Sequence, residues 1–136
     1  MKNKYLVLIF LFFIGSAIWK TSSSFAFYKT SESELTTLMK SIYQKTIQMK
    51  EAIQQEKSLP SISFKKYKKI YTATATDPEV KTSLFEEYTD TYLASLQKLY
   101  SQSTQENYKL VVTECIKCHQ EYCPGPLKKI NKLYLN

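Results

Sequence analysis

Cys115-Ile116-Lys117-Cys118-His119 is the stretch on which the reading of this chain turns. Two thiols three residues apart, with a histidine directly after the second, form the attachment signature of c-type haem. On a helix, positions i, i+3 and i+4 share one face, roughly 5–6 Å apart between Cβ atoms. Both sulfurs then reach one edge of a porphyrin while the imidazole meets the iron, so a single turn holds the group by three bonds. Cys115 and Cys118 are the expected thioether anchors, and His119 the expected proximal ligand, of one haem c per chain. The same five residues also allow a haem-free reading, as a redox dithiol or half of a zinc site beside an unrelated histidine. Zinc prefers four spaced ligands, whereas Cys118 and His119 are adjacent and His119 is the only histidine in 136 residues.

Working outward, the motif sits on a helical stripe. Ser103 with Glu106 reads as a capping box, and Tyr108, Val111, Val112, Cys115, Cys118, His119 and Tyr122 follow at helical spacing. Pro124-Gly125-Pro126 must end that helix, leaving Leu127, Ile130, Leu133 and Tyr134 for a last amphipathic turn or two. Before it, Asp77, Pro78 and Glu79 mark a helix start, with Val80, Leu84, Tyr88, Tyr92, Leu96 and Leu99 as its apolar stripe and a stop near Ser101. A first helix opens at Ser31 with Glu34, a second capping box, and carries Leu35, Leu38, Met39, Ile42, Met49, Ala52 and Ile53 to near Lys57. Between these lies a shorter segment with Phe64, Tyr67, Ile70 and Tyr71 on one side, followed by Thr72-Ala73-Thr74-Ala75-Thr76, which is poor helix material. With two glycines in the whole chain, a Gly-rich phosphate loop and a hairpin-rich β domain are excluded. The expected fold is all-α: an antiparallel up-and-down four-helix bundle with the haem-binding motif near its C-terminus.

Residues 1–26 read as an export signal. Lys2 and Lys4 precede an apolar run over residues 5–19, and Ser24 and Ala26 are small residues suited to cleavage after Ala26. The alternative is an uncleaved N-terminal anchor through residues 5–19. Residues 27–136 then form a single helical domain. All 19 basic residues are lysines. With three of them in the signal, the remainder is mildly basic, which suits an acidic redox partner or membrane surface as well as an ordinary solvated face. Without arginine or aromatic-basic clusters it is no case for nucleic acid. Three cysteines exclude a disulfide framework. Cys123, left over from the motif, is expected to pack as a small apolar residue, with an intermolecular disulfide and a homodimer as the rival.

These residues resemble the cytochrome c prime family and its low-spin relatives, exported four-helix bundles with the haem motif on the last helix. Tyr122, an aromatic three residues after His119, and the early Leu38-Met39-Lys40 run match as well. Two features depart from that pattern: Cys123 stands where a basic residue is usual, and the chain continues past Pro124-Gly125-Pro126 to Asn136. The small cytochrome c fold fits worse, because no methionine follows His119. The resemblance implies haem attachment after translocation by a cytochrome c maturation machinery, in a compartment such as the bacterial periplasm.

Expected function is single-electron transfer by a monohaem protein with an unidentified redox partner protein. The alternative keeps the haem but leaves the iron five-coordinate, as a nitric oxide or carbon monoxide binder; a haem-free zinc or dithiol site ranks last. Catalysis is not expected, since the sole histidine is committed and no Ser-His or Cys-His pair can be built. For the sixth ligand a second histidine is impossible within one chain, leaving the thioethers Met39 and Met49 on the first helix. The resemblance of Leu38-Met39-Lys40 to the place where low-spin relatives supply their methionine favours Met39. The rival is that both are core residues.

Overall fold

The computed structural model describes residues 32–135. The expected signal or anchor in residues 1–26 and the Ser31 cap lie outside the described residues. Within them the chain is all-helical, with five α-helices and no strand: α1 (Glu34–Gln54), α2 (Phe64–Tyr67), α3 (Ser83–Ser101), α4 (Gln105–Tyr122) and α5 (Leu127–Ile130). Single 3-10 turns follow α2 and α5 and precede α3. Among the described residues no helix is long and apolar enough to cross a membrane.

Three of the helices are long, and the second expected helix is not. Residues 64–71 make one α turn and one 3-10 turn, yet Tyr67 and Ile70 are buried where the spacing put them. The Thr72–Thr76 run does another job. Its backbone caps α1: the Thr74 carbonyl accepts from Leu35 N–H at 3.0 Å, satisfying one of the first-turn donors that a helix leaves unpaired. Glu34, expected to close a capping box, instead accepts from the Thr74 N–H (3.0 Å) and hydroxyl (3.1 Å). The side-chain cap is Ser33, which accepts from Thr36 N–H.

Helix starts shift for the same reason elsewhere. Asp77 and Pro78 begin only a 3-10 turn, and α3 proper opens at Ser83 behind Thr82, whose hydroxyl accepts from Phe85 N–H. Its buried stripe is therefore Phe85, Thr89, Tyr92, Leu96 and Leu99. Leu84, expected inside, is 42% exposed, because one residue along a helix is a rotation of about 100°. Thr104 rather than Ser103 caps α4.

α3 and α4 form the most extensive helix pair. A three-residue link, 102–104, folds α4 back on α3. The far ends meet: Phe85 and Tyr88 rings lie 5.5 and 6.2 Å from the Tyr122 ring, edge to face, so the pair is antiparallel along its length. Residues 60–71 run along α3 in the opposite sense. Tyr100 donates to the Pro60 carbonyl (2.5 Å), the Tyr67 and Tyr92 rings stack 6.5 Å apart, and Tyr71 donates to Asp90. Lys81, its amine over the Phe85 ring, donates to the Ile70 and Tyr71 carbonyls and so ends the segment. The C-terminal tail docks by Ile130 and Leu133, both buried, and by Tyr108, which donates to the Leu133 carbonyl at 2.8 Å.

Two predictions test these ties. Hydrogen bonds from Thr74 hold the Glu34 carboxyl below its ordinary pKa, so its contribution exists above the unfolded-state value and is lost as pH falls through the folded one. Glu34→Gln is expected to lower the thermal midpoint slightly at pH 7, the gap closing below about pH 4. A gap equal at both pH values would show that the charge contributes nothing. Tyr108→Phe is expected to cost about 1 kcal/mol in chemical denaturation and to hasten proteolysis of residues 127–135. Unchanged cleavage would mean that the tail is held by Ile130 and Leu133 alone.

Candidate functional site

Helix α4 presents Cys115, Cys118 and His119 on one turn, and the antiparallel pairing sets Tyr88 and Tyr92 of α3 opposite them. Met39 and Ile42 of α1 and Ile70 of the crossing segment complete the walls of a cavity of about 40 Å³. All four residues singled out in the sequence, Met39, Cys115, Cys118 and His119, line this one space. Met49, the other candidate thioether, is fully buried in the core and is not among the lining residues.

The break after α4 orients the imidazole. Pro124 disfavours helical backbone at the residue before it, and Cys123 accordingly leaves the helix at φ −158°, ψ 84°. Its carbonyl turns back and accepts from His119 Nδ1–H at 3.2 Å. A carbonyl can only accept, so the tautomer that makes this bond carries its proton on Nδ1 and leaves the Nε2 lone pair for a metal. Burial lowers the imidazole pKa, partly offset by that carbonyl, so the ring is neutral at pH 7.

Burial works against thiolate formation at both motif thiols. Burial first, then the neighbouring Cys118, pushes Cys115 up to about 12; burial and Cys123 push Cys118 to about 11. A redox dithiol needs a lowered pKa near cationic groups or a helix N-terminus, and this environment acts in the opposite direction. Cys123, expected to be packed, is exposed, with its sulfur 3.1 Å from His119 Nδ1. The proline break carries it off the core-facing stripe. Among the described residues no three His, Cys, Asp or Glu side chains form a metal-binding group.

A neutral imidazole, two thiols and a thioether set among apolar walls fit the donor set of haem c. The space does not yet fit the ring. About 40 Å³ falls well short of cofactor pockets, which run to roughly 300 Å³ or more. The walls must therefore move apart to admit it. The Tyr92 and Ile70 walls carried no ligand signal in the sequence; only stripe periodicity marked them, and that marks core equally. No protein-family model, no curated protein and no solved structure matches the chain.

In chain made without haem attachment, iodoacetamide is expected to modify exposed Cys123 first and Cys115 last, read by peptide mass. Modification of Cys115 at the rate of Cys123 would contradict the burial that raises its pKa.

Proposed function

We propose that this chain is a monohaem c-type cytochrome of the cytochrome c prime-like kind, passing single electrons in an exported compartment. Cys115 and Cys118 are its thioether anchors, His119 the proximal ligand and Met39 the sixth ligand. One observation carries the reading: Met39, chosen from the other end of the chain, lines the same cavity as Cys115, Cys118 and His119. The Nδ1–H bond to the Cys123 carbonyl supports it, since that tautomer is the ligating one. The bound haem supplies a one-electron iron couple, whose potential axial ligation and burial set. The residues hold and orient it: two sulfurs fix one edge, the imidazole is aimed by Cys123, and Ile42, Ile70 and Tyr92 exclude water.

The fold reading goes with it. We take α1, residues 60–71, α3 and α4 as a four-membered antiparallel bundle in which the 60–71 segment fills the place of a full helix, supported by its side-chain register along α3. The protein is not an enzyme on this reading, because its only imidazole is engaged. A signal in residues 1–26, removal after Ala26 or retention as an anchor, and attachment by a maturation machinery belong to the same proposal, as does an acidic redox partner. Exposed Cys123 is available for a disulfide-linked homodimer.

Protein exported in a host that matures c-type cytochromes is expected to carry one haem by intact mass and haem stain. Cys118→Ser removes one thioether and most of the holoprotein; absence of any adduct in the wild type would end the proposal. For the sixth ligand, the oxidised protein is expected to show the long-wavelength iron–thioether band and to lose it in Met39→Ala. A wild type without the band, whose reduced form binds carbon monoxide readily, would favour the five-coordinate gas binder, with Met39 only packed against the core.

A further inference from the structure

One cavity wall carries an unmet hydrogen bond. Tyr92 is 6% exposed and Tyr67 4%, and neither hydroxyl has a partner. Their rings stack at an interplanar angle of 19°. Tyr92 lines the cavity. Two other polar side chains on that wall are committed: Thr89 donates to the Phe85 carbonyl (2.8 Å), and Glu114 accepts from Lys117 (2.8 Å). Elsewhere the fold pairs its inward-facing phenols, Tyr100 with Pro60 and Tyr108 with Leu133.

Buried polar groups are rarely left unpaired, and phenylalanine would fill the same ring volume without the penalty. Burial raises both phenols far above their ordinary pKa, so each keeps its proton and has an O–H to donate. The geometry points to Tyr92, held in place by the Tyr67 ring stacked on it, as a hydrogen-bond donor for an oxygen acceptor on the group that fills the cavity. This rests on the haem reading. This acceptor is a carboxylate of the haem or, on the five-coordinate alternative in which Met39 is not a ligand, a small oxygen-bearing ligand on its iron; the rest of the porphyrin is apolar and matches Ile42 and Ile70.

The test uses haem-loaded full chain carrying Tyr92→Phe, with Tyr92→Leu as the second variant where the first does not fold. Loss of a donor to a bound acceptor is expected to lower the thermal midpoint by about 5 °C or more. If the acceptor is a carboxylate, the reduction potential also falls, because an unshielded anion favours the oxidised iron, while the carbon monoxide stretch of the reduced adduct stays put. If the acceptor is bound to iron, that stretch moves. A midpoint that is unchanged or raised, or one lowered with neither potential nor stretch altered, overturns the inference. Wild type lacking any haem adduct overturns the functional proposal and this inference together, whereas a loaded wild type with an insensitive Tyr92→Phe overturns this inference alone.

Discussion

The antiparallel closure of α4 on α3 is the constraint from which the site follows. A motif confined to one helical turn defines one face only; whatever it holds needs cover from elements distant in sequence. The short link at 102–104 puts α3 residues opposite α4 residues almost equally far from the turn, so Tyr88 and Tyr92 face the Cys115–His119 region by topology. The Phe85–Tyr122 and Tyr88–Tyr122 contacts keep that register to the far end. Side chains on α1 and on residues 60–71 then close the remaining sides. The latter segment lacks the backbone ladder of a long helix, and its position depends on Tyr71, Tyr100 and Lys81.

What could be read beforehand was what depends on neighbours within a few residues. The Cys115, Cys118 and His119 set is legible because three positions on one turn are geometrically linked whatever the rest does. The α1 stripe was legible too, and Leu38, Ile42, Met49, Ala52 and Ile53 are buried. Errors arose where a local signal had a distant competitor. Glu34 has the spacing of a capping box, yet Thr74 offers two donors from forty residues away. Asp77-Pro78 is a sound start, but the helix it begins lasts one 3-10 turn before Thr82 starts another, and that shift exchanges Leu84 for Phe85. Tyr67 and Tyr92 are legible as core and not as an unpaired donor pair, because satisfaction of a hydroxyl depends on everything around it.

Covalent attachment and the narrow cavity would set an order of events on the haem reading. Each thioether forms when a thiol adds across a vinyl group of the porphyrin, and a thiol held neutral by burial is a poor partner for that step. The folded site, with Cys115 raised to about 12 and a cavity of only about 40 Å³ beside it, is therefore a poor place to begin. Bond formation suits the chain before α1 and residues 60–71 have packed over α4. Once both sulfurs are bonded their titration disappears, and the apolar walls that opposed the thiolate become the walls that keep water from the ring. The proline break matters at the same moment. Because Pro124 turns the Cys123 carbonyl onto Nδ1 through contacts within five residues, His119 can take its ligating tautomer on α4 alone, before the tertiary cover arrives.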